Sequence, residues 1–368
     1  MKKKIVAVLI CGALMASLAA CGSTDSASTD TDSATETATT ETSAEAEETE
    51  SETTEAADGE VYNLRLGSFP GDNFTFMEEY AANVEEASDG RVQIEVINFT
   101  TTGSTADAVA MTKAGSYDMM IISGSEYVGY EPCSAVVAVP LVVDNIENAY
   151  ALETAMLEEG YFSDWDGEVL AVMLTDMQYI ALADDEITSA ADFNGLIGRC
   201  QNANGVQVLQ ELGCSITTIA TTDVYMSLET GVIDFAVSSP TNMVSNAYDE
   251  VVKYIIDQPL YCDCNCLVMN SDSYASLPAD IQQILQDCAD QLSADYQAWN
   301  VAAETDCIQS MKDAGIEFIS CPDDVYEIIE GETDSCMESF LDTLAQAGVD
   351  TDAFKTFVDD TLAEIKGE

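Results

Sequence analysis

The 368-residue chain has no histidine, and its 11 Lys and Arg face 68 Asp and Glu, a formal net charge of −57. Without His the usual general base near neutral pH and the commonest transition-metal ligand are missing. Every Ser-His-Asp, Cys-His and HExxH arrangement goes with it. Carboxylate dyads, lysine nucleophiles and thiolates stay open, so catalysis is disfavoured rather than excluded. A chain this poor in bases also lacks the basic face that replaces counterions on a phosphate backbone, which removes nucleic acid as a partner. Apolar residues make up 47% of the chain and charged residues 21%. That is enough to build one large or two ordinary domains.

Lys2, Lys3 and Lys4 precede an apolar run from Ile5 to Ala20 that ends in Leu18-Ala19-Ala20-Cys21-Gly22. Sixteen residues fall short of the ~20 that span a bilayer, whereas a basic start, an apolar centre and small residues before a cleavage point fit an export signal. The Leu-Ala-Ala-Cys string resembles the lipobox of bacterial lipoproteins. That resemblance implies a signal over residues 1–21 and lipidation of Cys21, anchoring the chain to the outer face of the cell membrane. Residues 22–60 are almost wholly Ser, Thr, Ala, Asp and Glu, with 13 acids and no base. Nothing there repays the entropy of folding, so the segment reads as a disordered, self-repelling tether.

From residue 61 onward the pattern changes. Leu64-Arg65-Leu66-Gly67 reads as a strand, and Phe76 to Ala87 as a helix with Met77, Tyr80, Ala81 and Val84 on one face. The alternating strand Val92 to Val96 follows, then a helix around Ala106 to Lys113 and the apolar strand Tyr117 to Ile122. This β-α-β-α-β order predicts a doubly wound α/β lobe. The pattern restarts at Val169 and runs to Val237, predicting a second such lobe. A helix from Leu277 towards Ala314 would be roughly 55 Å long at 1.5 Å per residue, long enough to brace both. A strand at Ile316 to Ile319 and further amphipathic helices complete the chain.

Two α/β lobes behind a lipid anchor suggest a solute receptor that closes on a ligand in the cleft between them. The chain has three arginines. Arg65 and Arg91 belong to alternating strands, where a solvated side chain is ordinary. Arg199 ends the string Leu196-Ile197-Gly198 with no acid within six residues on either side. An arginine there needs either a structural ion pair or a bound anion, and a ligand carboxylate can accept two parallel hydrogen bonds from it.

The segment Ile187-Thr188-Ser189-Ala190-Ala191-Asp192-Phe193-Asn194-Gly195-Leu196-Ile197-Gly198-Arg199 resembles a stretch of the solute-binding subunits of tripartite ATP-independent periplasmic (TRAP) transporters, the DctP-like family. Leu212-Gly213, Asp223-Val224-Tyr225, Gly231-Val232-Ile233-Asp234, Glu250-Val251 and Leu277-Pro278 follow in the family's order, with Gly90-Arg91-Val92 and Pro140-Leu141 upstream. The resemblance implies a two-lobed receptor that carries a small carboxylated organic acid to TRAP membrane subunits. It needs no cofactor or metal and is not an enzyme. It also implies lobes that exchange segments, residues 61–176 with 264–303 forming the first and residues 177–263 with 304–368 the second.

Residue by residue, Arg199 matches the family's carboxylate-pairing arginine. Where sialic-acid-binding members place a second arginine, an asparagine and an aromatic residue, this chain has Tyr179, Ser238 and Thr221. In the first lobe the cleft positions fall near Phe69, Thr105, Ser123 and Glu126. One arginine among hydroxyls and aromatics suits a monocarboxylate better than a dicarboxylate, because a second carboxylate wants a second cation. Plain core packing is the rival account of Phe69 and Tyr179.

Of 12 cysteines, Cys262, Cys264 and Cys266 are spaced to share a strand face. A thiolate metal site is the sharper reading, but the usual zinc spacings differ and no His is available. Buried small residues, or disulfides in an exterior compartment, are the plainer ones. Against the transport receptor stand a same-fold sensor serving a signalling protein and a secreted carboxylate-dependent hydrolase.

Overall fold

The computed structural model describes residues 59–101, 103–123, 133–162 and 167–367. The segment expected to be an export signal, Cys21, the rest of the expected tether up to residue 58, and Glu126 lie outside the described residues. The chain opens with β1 (Tyr62–Ser68), α1 (Asp72–Ala87), β2 (Val92–Asn98), α2 (Thr105–Lys113) and β3 (Met119–Ser123), then α3 (Ile146–Glu158) and β4 (Gly167–Leu174). In α1 the residues Met77, Tyr80, Ala81 and Val84 are the buried ones, the 3.6-residue stripe of a helix on a sheet. A capping box between Ser104 and Asp107 starts α2.

A second run holds β5 (Tyr179–Leu182), β6 (Ile197–Arg199), α4 (Ala203–Glu211), β7 (Ser215–Thr217), α5 (Thr221–Glu229), β8 (Phe235–Ser238), α6 (Pro240–Ser245) and β9 (Tyr254–Ile256). The chain then returns as β10 (Cys264–Asn270), α7 (Ser271–Ala275) and α8 (Ala279–Ala314), and finishes with β11 (Glu317–Ile319), α9 (Asp323–Ala347) and α10 (Thr351–Lys366). The first sheet has the order β2-β1-β3-β10-β4 and the second β11-β9-β5-β8-β6-β7. These are two α/β lobes of the periplasmic binding protein type.

Both sheets are mixed rather than wholly parallel. β10 runs antiparallel to β3 and β4, and β5 antiparallel to β8 and β9. The cause lies in the two crossing segments. Thr175 N donates to Asp263 O at 2.8 Å, Gln178 N to Tyr261 O at 2.8 Å and Leu260 N to Gln178 O at 2.9 Å. Outgoing and returning chains thus pair as an antiparallel ribbon, which brings β10 back into the first sheet against the direction of β4.

All seven residues of β10 are buried, so the strand shows no alternation. The 36-residue α8 packs on α1 and β4 at one end and on α6 further along. Tyr80 Oη donates to Leu285 O at 3.2 Å, and Asn300 Nδ2 to Leu174 O at 2.7 Å. The helix ends where Gly315 takes φ 98°, a left-handed turn that costs glycine nothing. α9 lies on α4, while α10 lies on α3 with Tyr161 packed against Phe354 and Phe357. The last helix, expected with the second lobe, therefore touches an element that leads into the first sheet.

Among the described residues no helix is long and apolar enough to cross a membrane. The ten described cysteines form no disulfide with one another. Cys264 Sγ and Cys266 Sγ stand 3.8 Å apart in a wholly buried setting.

Candidate functional site

A cavity of about 640 Å³ opens between the start of α1, the two crossing segments, the ends of β6 and β10, and one face of α8. Arg199 reaches it from the C-terminal end of β6, which runs parallel to β7 and β8; strand C-termini are where α/β sheets expose ligand sites. Gly198 makes the approach possible. A Cβ there would stand 2.0 Å from Phe235 Cζ, so only glycine lets β6 lie flat on that ring.

Arg199 is 3% exposed. Its Nη2 donates to Thr221 Oγ1 at 3.1 Å and its Nε to Ile219 O at 3.5 Å. Both acceptors are neutral, and among the described residues no carboxylate forms an ion pair with it. Burial accordingly pulls the guanidinium below its ordinary value. A cation removed from water and left with two neutral acceptors still has donors to offer. Tyr248 Oη donates to Thr221 O at 2.8 Å and so fixes the start of α5 beneath the arginine.

The rest of the wall is polar on one side and aromatic on the other. Asp176, on the outgoing crossing segment, accepts from Thr241 N and Thr241 Oγ1, each at 2.8 Å, and so tethers the first turn of α6. Burial raises its pKa against these hydrogen bonds. Asn73 at the start of α1 lines the cavity with its Oδ1 buried and without a hydrogen-bond partner. From α8 come Tyr296, Trp299 and Asn300. Tyr296 and Trp299 pack with Phe76 of α1 at centroid distances of 4.9 to 5.4 Å, which gives an aromatic corner.

The residues named from sequence divide into two groups. Arg199 and Thr221 stand together on the cavity wall. Ser238 lies behind it, where its Oγ accepts from Asn242 Nδ2 at 2.7 Å and positions that lining amide. Tyr179 lies beside it, donating to Glu304 Oε1 at 3.2 Å. Burial, reinforced by Glu304, raises the phenol's pKa. Glu304 is itself raised to about 7, by burial first and by Asp176 second.

Phe69 adjoins the lining Pro70 but packs edge-on against Phe99 at 4.9 Å. Thr105 begins α2 and is not on the wall. Ser123 ends β3 opposite Asn265, which is on the wall, and Glu126 is outside the described residues. Sequence reasoning did not single out Asn73, Asp176, Asp263, Trp299 or Asn300. Of these only Trp299, one of two tryptophans, carried a signal. A second, smaller cavity of about 440 Å³ is lined by Asp257, Asp323 and Glu327 without a base. Its wall offers no cationic side chain to an anion.

Comparison with known proteins follows the same line. Residues 72–340 match the model of bacterial extracellular solute-binding protein family 7, DctP. A solute-binding protein of Chromohalobacter salexigens is 25% identical over 264 residues, which cover 70% of this chain and 77% of the relative. The 2,3-diketo-L-gulonate-binding periplasmic protein of Escherichia coli is 24% identical over 244 residues, 64% of this chain and 74% of that protein. Among solved structures, a marine-metagenome TRAP solute-binding protein specific for aromatic acids, in complex with metahydroxyphenylacetate, superposes with a TM-score of 0.71. It is 20% identical, with coverage of 82% of this chain and 99% of that one.

Proposed function

The chain belongs to bacterial extracellular solute-binding protein family 7, and on that premise we propose that it is the extracytoplasmic receptor of a TRAP transporter, binding a small carboxylated solute between its lobes. The observation that carries the reading is Arg199, buried in the main cavity with two neutral acceptors and no ion-pair carboxylate among the described residues. A ligand carboxylate supplies the missing countercharge and two parallel acceptors. Thr221 holds the guanidinium from behind, Asn73 and Asn265 approach from the first sheet's side, and Tyr296 and Trp299 offer an apolar wall.

Closure follows from the same geometry. The first sheet's lobe and the second sheet's lobe join at the paired crossing segments and along α8, so a ligand touching both walls favours the state in which they approach. Residues 61–176 with 264–303 form one lobe, residues 177–263 with 304–368 the other, and α10 returns to lean on the first. The solute then passes to membrane subunits that recognise the closed form. The basic start and the Leu-Ala-Ala-Cys string support export and lipidation at Cys21, with residues 22–60 as a tether to the membrane surface.

The test is a thermal-shift and calorimetric screen of the purified protein against mono- and dicarboxylates, keto acids, aromatic acids and sugar acids, with neutral analogues as controls. Binding confined to carboxylates and lost in Arg199→Ala is the expected result. Binding that survives that replacement, or that prefers the neutral analogues, overturns the assignment. The anchor is tested separately: Cys21→Ala is expected to move the protein from the membrane fraction to the medium.

A further inference from the structure

Small-molecule sites are ordinarily lined mostly by apolar side chains, with a few polar groups that fix orientation. The cavity around Arg199 reverses that proportion. Of its twenty lining residues twelve are Asn, Gln, Ser or Thr, and none is Ala, Val, Leu, Ile, Met or Phe. Seven of the twelve carry a carboxamide, which offers two N–H donors and a carbonyl acceptor. They come from both sheets' sides: Asn265 from β10, Asn242 and Asn246 from α6, the helix that follows β8. Part of this capacity is used within the protein. Asn242 Nδ2 donates to Ser238 Oγ at 2.7 Å, and Asn246 Nδ2 faces three acceptors, Asn242 O, Asn242 Oδ1 and Ser245 Oγ, at 2.8 to 3.3 Å. Those acceptors fix which way the Asn246 amide points, and its Oδ1 is left with no donor among the described residues. Asn265 is 6% exposed, and among the described residues its carboxamide makes no hydrogen bond. Unlike the Oδ1 of Asn73 it is not sealed from solvent, so the access it keeps opens on the cavity it lines.

Resting on the receptor reading above, we propose that the solute is a polyhydroxylated carboxylic acid, its carboxylate on Arg199 and its hydroxyls on the amide wall, with Asn265 as the specificity-determining residue of the first lobe. A solute that fills the cavity withdraws water from these amides, and a desolvated amide without a partner is costly. The solute must therefore bring its own donors and acceptors. Asn246 Oδ1 wants a donor, whereas the Asn265 carboxamide presents N–H bonds as well as a carbonyl. A hydroxyl both donates and accepts and so answers either end of a carboxamide. A keto oxygen only accepts, an ammonium only donates, and a hydrocarbon or plain aromatic acid does neither. Arg199 alone takes such acids equally well, so discrimination among them falls to the amides, which reject a solute that leaves them unpaired.

The experiment compares solutes that share a skeleton and differ in their hydroxyls. Titration calorimetry of the purified protein is run with aldonic and uronic acids of five and six carbons, with the unsubstituted and 2-oxo acids of the same length, with phenyl-substituted acids, and with the matching neutral polyols. One hydroxylated acid is expected to bind at least a hundredfold tighter than the unsubstituted acid of its length, and the polyol without a carboxylate to show no binding. Asn265→Leu, close in volume, is expected to shrink that preference at least tenfold by weakening the hydroxylated acid while the unsubstituted acid changes little. Asn246→Ala, on the half-buried face of α6, is expected to do the same to a smaller degree and keeps the test open if Asn265→Leu does not fold, which melting curves report. If an unsubstituted or phenyl-substituted acid binds as tightly as every hydroxylated one, the hydroxyl assignment is overturned and the carboxylate receptor stands. If the preference exists but survives both substitutions, Asn265 is not its source and that part of the proposal is overturned. If no carboxylate of any kind binds, the receptor reading falls and this one with it.

Discussion

Replacing Arg199 with methionine separates what the arginine does for the ligand from what it does for the fold. In the native protein the guanidinium is buried, keeps two neutral hydrogen-bond acceptors and has no ion-pair carboxylate among the described residues. Desolvating such a charge is unfavourable, and a buried charged group is often replaced by an apolar one of similar volume without loss of stability. The ligand-free melting temperature of Arg199→Met should therefore stay within about 2 °C of the parent, or rise, since about 1 kcal/mol shifts a protein of this size by roughly that much. Binding behaves oppositely. Two hydrogen bonds from a charged donor to a carboxylate contribute roughly 1.5 to 3 kcal/mol each, so their loss weakens affinity by about 10² to 10⁴-fold. Read by calorimetry and by the ligand-induced rise in melting temperature, the parent should gain about 2.7 kcal/mol at a hundredfold excess over Kd and the variant nothing measurable. A variant that binds within tenfold of the parent refutes the carboxylate role. One that fails to fold shows that Arg199 serves the scaffold instead.

Other consequences follow from neighbouring contacts. Gly198→Ala forces a Cβ to within 2.0 Å of the Phe235 ring, and urea titration should show a loss of about 2 to 4 kcal/mol, with ligand affinity falling because Arg199 shifts. Thr221→Val removes the acceptor of Arg199 Nη2 and should weaken ligand binding by roughly tenfold in calorimetry, with little change in the ligand-free melting temperature. Glu304, whose folded value of about 7 lies above the ordinary 4.5, holds an extra proton in the native state between those limits. Stability is therefore greater at the acid end of that window and declines as pH rises through about 7, by up to about 3 kcal/mol. Glu304→Gln, neutral throughout, should match the parent near pH 5 and melt higher than it at pH 8; equal pH profiles for the two proteins would remove Glu304 as the cause.

How far the sequence discloses this molecule depends on the range of the interaction. The burial stripe of α1 and the course of α8 are local patterns, written in residues three and four apart, and both stand where periodicity puts them. β10 is different. Its seven buried residues carry no alternation, and its place between β3 and β4 is set by partners about 150 and 100 residues away along the chain. The antiparallel direction of β5 and β10 likewise comes from the pairing of the two crossing segments. No local pattern announces that pairing. α3 escaped notice because its buried residues, including Glu153, do not form a clean apolar stripe.

The same distinction governs the cavity. Arg199 was legible because it is rare and because the acids that crowd the rest of the chain are missing around it. Asp176 was not, since one more Asp among so many carries no information until the fold buries it and binds it to the first turn of α6. Tyr179 shows the converse. The resemblance to the family puts it at a cleft position, yet its hydroxyl turns to Glu304 and so joins the half of the structure where the crossing segments meet α8. Glu304 and Asp176 each raise the cost of ionising the other there. A second cation at Tyr179 would have cancelled that repulsion. Its absence leaves burial and that repulsion to be relieved by a proton on Glu304, whose value lies at about 7.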